Sequence, residues 1–193
     1  SSCAGAAPDA IAEDVAAMAE LAAQVLGDRE GDPELLIEGD GPHDLAWREW
    51  TDPAQIEQDP GGFERCGVLD ALDSVRTGKI SIGAGAFLYV EPTRALIAVD
   101  VNTGSDTSLA AGVKANMACA RALPRALRCL GLGGQIVVDA APMPKKDRRA
   151  FESALRAAFK SDPEETTLVG WTTLGHFELQ RKRARLPLSE ILS

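Results

Sequence analysis

Three side chains in the 193-residue sequence have the type and spacing to hold a divalent cation: Asp100, Asn102 and Asp139. The run Ile97-Ala-Val-Asp-Val-Asn-Thr-Gly104 leads from apolar residues into an acid and an amide two positions apart, then breaks at glycine. Strand alternation puts Asp100 and Asn102 on one face, at the strand's end. A second apolar run, Gln135-Ile-Val-Val-Asp139, also ends in a carboxylate. Two carboxylates with an amide oxygen are hard ligands of the kind Mg²⁺ takes, with waters and a substrate phosphate completing its shell. Such an ion polarises a phosphoryl oxygen, lowers the pKa of a water and orients an in-line attack. A strand ending in aspartate also serves as a helix cap or a turn, and the pattern alone leaves that reading open.

The elements that must position these groups follow from periodicity. Residues 96–101, a helix over Leu109 to Leu130 and residues 135–139 read as a βαβ unit, which favours parallel pairing. Ligands of open α/β sheets sit beyond the carboxyl ends of the strands, where Asp100 and Asp139 fall. Leu109, Val113, Met117, Ala120, Leu123, Leu127 and Leu130 make one apolar stripe on the helix. Lys114, Arg121, Arg125 and Arg128 make a basic stripe on another face, suited to phosphate. Pro124 predicts a bend or a junction of two helices.

Upstream, Cys66 to Val75 reads as a helix, and Lys79 to Ile82 and Ala86 to Glu91 as strands. Pro92-Thr93 turns the latter into the opening strand as a hairpin-like pair. Downstream, Pro144 opens a helix over Lys145 to Lys160, with Phe151, Leu155 and Phe159 inward and Arg148, Arg149 and Arg156 outward. Thr166 to Trp171 and His176 to Gln180 read as strands, followed by the basic run Arg181-Lys-Arg-Ala-Arg185. Near the start, Ala7 to Leu26 predicts a helix, with Ile11, Val15, Met18, Ala22 and Val25 at helical spacing. Residues 28–62 are dense in Gly, Pro and acids and read as the boundary zone, with Glu34 to Glu38 as a short strand. Ala46 to Trp50 carries no assignment.

The bulk numbers fit a globular α/β chain: 45% apolar residues and no run long enough to span a membrane. Ser1 onward does not resemble a signal peptide, and Cys3, Cys66, Cys119 and Cys129 show no CxxC or zinc spacing. Cytoplasmic location with reduced thiols is expected. The net charge of −9 is divided unevenly. Residues 1–100 carry 20 acids against 6 bases, and residues 101–193 carry 14 bases against 9 acids. That asymmetry suggests a polyanion partner for the second half, with a solvated basic surface as the plain alternative. No glycine-rich phosphate loop precedes a helix, so no nucleotide cofactor is expected. His43 reads as a surface residue, and His176 shares a strand face with Glu178 and Gln180. Cys119 and Cys129, on the long helix, read as core or groove residues.

The segment Tyr89-Val-Glu-Pro-Thr-Arg-Ala-Leu-Ile-Ala-Val-Asp-Val-Asn-Thr-Gly104 resembles the catalytic signature of the RNase E/G family, in which an E-x-T-x-A-L segment leads into DVNTG. Lys114-Ala-Asn116 resembles its KTN. Gly133-Gly-Gln-Ile-Val-Val-Asp139 resembles its GGIIIIDF, and Leu174-Gly-His-Phe-Glu-Leu-Gln-Arg-Lys-Arg183 its LGLVEMTRKR. The blocks keep the family's order and spacing over residues 66–185.

The resemblance implies an α/β fold: a DNase I-like subdomain with a mixed sheet over residues 76–193, an RNase H-like portion over 31–75, and a 5′-sensor-like helical remnant over 1–30. It implies a Mg²⁺ held between Asp100 and Asp139, with Asn102 placing substrate or water. It further implies endonucleolytic cleavage of single-stranded RNA to 3′-hydroxyl and 5′-phosphate ends, in RNA processing or decay. Lys114, Arg121, Arg125, Arg128, Arg181, Lys182 and Arg183 would contact the RNA backbone, giving affinity without sequence readout. Departures are specific. The second acid of the family's DFIDM is Pro142 here, and Ser2-Cys3 stands where its 5′-phosphate pocket has Arg-Thr. The OB-fold domain and the CPxC zinc link have no counterpart in this sequence, so zinc-linked association is not expected. Two other readings compete: a non-enzymatic RNA-binding paralogue, and a Mg²⁺-dependent phosphotransfer enzyme acting on a small substrate.

Overall fold

The structure is a computed structural model and describes residues 5–28, 31–39, 41–49 and 54–192. Ser2, Cys3 and Trp50 lie outside the described residues. The chain divides into two compact units, Ser1–Ile56 and Glu57–Ser193.

In the first unit, α1 (Pro8–Gly27) starts with proline in its first turn, where the missing N–H costs nothing. Its apolar stripe is present but unburied, with Val15 and Met18 more than half exposed. The expected strand over Glu34 to Glu38 does not form. These residues are exposed and carry no ladder. The unassigned stretch belongs to α2 (Pro42–Glu49), where Trp47 Nε1 donates to His43 Nε2 at 2.8 Å.

The second unit is a six-stranded mixed sheet with helices on one face. Its elements are α3 (Gly62–Arg65), α4 (Val68–Arg76), β1 (Lys79–Gly83), β2 (Ala86–Pro92), β3 (Ile97–Asn102), α5 (Leu109–Leu130), β4 (Gly134–Asp139), a 3₁₀ turn over Lys145–Asp147, α6 (Arg148–Lys160), β5 (Thr166–Trp171), β6 (Phe177–Arg181) and α7 (Leu188–Ile191). The strand order is β1-β2-β3-β4-β6-β5. Strands β3 and β4 are parallel, joined through α5, and every other pairing is antiparallel. Val75 of α4 packs against the core of this unit.

Alternation divides the sheet cleanly. Leu88, Val99, Ile136, Val138, Phe177 and Leu179 point to one side and are almost fully buried. Helix α5 covers them with Cys119, Ala120, Leu123 and Leu127, and α6 adds Phe151, edge-on to Phe177 at 5.9 Å. Burial pushes the Cys119 thiol up to about 12, so it behaves as a small apolar group, while Cys129 is exposed. Pro124 is accommodated inside one continuous helix, buried among the core residues. Among the described residues no helix is long and apolar enough to cross a membrane.

Candidate active site

Asp139 ends β4, Asp100 lies two residues before the end of the parallel strand β3, and the two are register partners. Neighbouring strands lie about 4.8 Å apart, so both carboxylates leave the sheet side by side on the face opposite the helices. Both residues are exposed. Burial and the nearby charges of Asp139 and Glu91 raise the Asp100 carboxyl above its ordinary value, while Asn102 opposes them by hydrogen bonding. Two carboxylates held close enough to repel are the arrangement a cation relieves.

A carboxyl whose folded value lies above its unfolded 3.8 makes ionisation unfavourable to folding, so stability falls as pH rises through the folded value. Asp100→Asn is therefore expected to raise the melting temperature at neutral pH in EDTA, with the gain disappearing below about pH 4. A lower melting temperature at neutral pH would contradict it.

Asn102 does not offer its amide oxygen freely. Its Oδ1 accepts from the Gly104 N–H at 2.9 Å, which fixes the amide orientation because a backbone N–H can only donate. The amide nitrogen is left for Asp100. Gly104 adopts φ +70°, and a Cβ there would stand 2.4 Å from the Gly85 carbonyl oxygen. That close approach is why the turn after the acid needs glycine.

The loop after β4 is clamped from α5. Asn116, 1% exposed, donates to the Ala141 carbonyl at 2.8 Å and accepts from the Ala141 N–H at 2.9 Å. A Cβ on Gly112 would stand 2.2 Å from the Pro142 carbonyl oxygen. The loop is thus held through its main chain, with the Pro142 side chain exposed.

His176 is the neighbour that sequence reasoning underweighted. Its Nδ1 lies 3.3 Å from Asp139 Oδ1, a contact in distance but not aligned as a hydrogen bond. The hairpin turn before β6 sets the ring there, with the His176 N–H donating to Thr172 Oγ1 and its carbonyl accepting from Thr172. The signal was visible as the shared face of His176, Glu178 and Gln180.

The cations divide sharply. Arg181, expected on RNA, is instead buried: its side chain is 1% exposed, its Nη2 lies 2.9 Å from the equally buried Asp162 Oδ1, and its Nη1 donates to Thr166 Oγ1. It follows Phe177 and Leu179 inward by strand alternation. Lys182 and Arg183 are exposed, and Arg183 Nε donates to the Gly133 carbonyl. On α5 only Lys114 lies near the acidic end, beside Thr103 and Asp106. The helix returns toward the amino end of β4, so Arg128 lies about 21 Å along it from Lys114. Arg121 and Arg125 line a groove with Val75, Ile80 and Ile82 on the helix-covered side of the sheet. The structure therefore does not gather Arg121, Arg125 and Arg128 around the acid pair. Exposed Lys145 and Lys146, which sequence reasoning did not single out, and Arg149, which it read only as outward-facing, follow the carboxyl end of β4 in the chain. Arg148 stacks on Trp171 at 4.5 Å.

Among the described residues no group of three or more His, Cys, Asp or Glu side chains could hold a metal. The fit is to an ion that takes one or two protein carboxylates and completes its shell from water and phosphate, which is the habit of Mg²⁺.

Comparison with known proteins places the chain among relatives. A sequence model for the "Ribonuclease E/G family" matches residues 47–184. The chain is 32% identical to Ribonuclease G of Escherichia coli (strain K12) over 139 residues, 67% of this chain and 28% of that protein. It is 29% identical over 135 residues to Ribonuclease G of Haemophilus influenzae, again 67% of this chain and 28% of the relative. Ribonuclease E of Nostoc sp. is 32% identical over 110 residues, 54% of this chain and 16% of the relative. The chain spans little more than a quarter of the length of the Ribonuclease G relatives.

Proposed function

Because the chain belongs to the ribonuclease E/G family, we propose that it carries the catalytic acid pair of an endoribonuclease acting on single-stranded RNA. The observation that carries this reading is the register pairing of Asp100 with Asp139 on one open sheet face. Asp100 and Asp139 would hold a Mg²⁺ ion, which when bound supplies charge neutralisation and Lewis-acid polarisation of the phosphodiester. Asn102, its oxygen held by the Gly104 N–H, would orient the Asp100 carboxylate, and His176, 3.3 Å from Asp139, would stand beside it. Asn116 fixes the loop that follows Asp139. Lys114, Lys145, Lys146 and Arg149 would meet the RNA backbone beside the acids, and Lys182 and Arg183 farther along it. Arg121, Arg125 and Arg128 would contact only RNA that passes to the helix-covered side. The products would be 3′-hydroxyl and 5′-phosphate ends. Residues 76–193 would form the DNase I-like subdomain, with 31–75 and 1–30 as remnants of neighbouring subdomains.

The test is incubation of the chain with 5′-labelled, AU-rich single-stranded RNA in Mg²⁺ and in EDTA. Internal cleavage in Mg²⁺ alone is expected. RNA binding without turnover in either condition would favour the non-enzymatic reading.

A further inference from the structure

The face that carries the acid pair also carries aromatic rings. Lys79, Tyr89, Asp100 and Asp139 are successive register partners across β1, β2, β3 and β4, and so form one row on one face. Phe87 stands two residues from Tyr89 on that same face, opposite Asn102. Each step between strands is about 4.8 Å, so the Tyr89 and Asp139 backbones lie about 10 Å apart. Tyr89 is the chain's single tyrosine. Phe87 and Tyr89 are half-buried, whereas Phe151, Phe159 and Phe177 are buried on the helix side. Within this unit the helices pack on the other face, so these two rings have no helix over them. The Lys79 ammonium lies 4.1 Å from the Phe87 ring centroid and 5.6 Å from that of Tyr89.

We propose that Phe87 and Tyr89 form a base-stacking subsite of the active face, which seats a nucleobase of single-stranded RNA beside the acid pair. The proposal rests on the ribonuclease reading for its substrate. An aromatic face stacks any base without reading its edges, which suits a nuclease that grips single strands. A cation over the rings adds a partner for the adjoining phosphate: Lys79 leaves its cation–π contacts for a stronger charge-assisted one. The row then aligns one strand of RNA across the sheet, with phosphate on Lys79, base on Tyr89 and the reacting phosphodiester over Asp100 and Asp139. Seating the base fixes the phosphodiester against the acids, so Phe87 and Tyr89 would be positioning groups for the reaction.

Binding of short fluorescein-labelled single-stranded RNA, measured by anisotropy in EDTA, tests this without turnover. Tyr89→Leu is expected to weaken binding about ten- to a hundredfold, with Tyr89→Phe close to wild type. Lys79→Gln is expected to reduce the salt dependence by about one phosphate contact. RNA carrying 2-aminopurine at successive positions should be quenched at one or two of them by the wild-type chain, and that quenching should vanish in Tyr89→Leu. Wild-type affinity in a folded Tyr89→Leu variant overturns the subsite, as does the absence of quenching at every position in the wild type. Loss of the ribonuclease reading is seen separately, as intact Tyr89-dependent binding with no cleavage in Mg²⁺.

Discussion

Asp139→Asn is expected to reduce Mg²⁺-dependent cleavage of single-stranded RNA by at least about a thousandfold, and Asp100→Asn to do the same. The amide keeps the shape of the side chain and removes the charge. Because Asp139 is exposed at the tip of β4 and its charge repels Asp100, the variant should melt no lower than the wild type. Loss of activity without loss of fold assigns the effect to the site. Cleavage within tenfold of wild type in either variant would remove the acid pair from the reaction.

Arg181→Leu is expected to behave in the opposite way. Asp162 would be left with its side chain 1% exposed and its charge unmatched. Removing one partner of a buried pair costs about 3–5 kcal/mol, or roughly 10–15 °C in melting temperature for a unit of this size. Replacing both, as Asp162→Leu with Arg181→Met, should recover much of that loss. RNA affinity per folded molecule should not change. Weaker RNA binding with an unaltered melt would return Arg181 to the surface role that its place in a basic run suggests.

Those two residues illustrate what could be read before the structure. Asp100 and Asp139 were legible because strand alternation and a terminal glycine are local signals, and one βαβ crossover brings the two tips together. The bounds of α5 and the inward face of α6 followed from helical spacing in the same way. Arg181 was misread because Arg181-Lys-Arg183 looks uniform in composition. Continuing the alternation from Phe177 through Leu179 would have turned Arg181 inward and left Lys182 outside. The basic stripe on α5 was real as periodicity, but its relation to the acids depends on the helix running back along the sheet's other face. Lys145, Lys146 and Arg149 gained meaning only from the end of the sheet at which β4 stops. Glu34 to Glu38 has the composition of a strand and forms none. The contacts of Asn116 and His176 are tertiary: each lies against a loop or carboxylate that is distant in sequence.

Asp100 and Asp139 together would hold a divalent ion. Titrating the chain with Mg²⁺ while following its backbone amides by NMR tests it without depending on any RNA. Saturable shifts are predicted at residues 100–104 and 139–141, and they should vanish in the Asp100→Asn, Asp139→Asn double variant. No saturable shift in those two segments, or the same shifts in the double variant, would contradict the assignment.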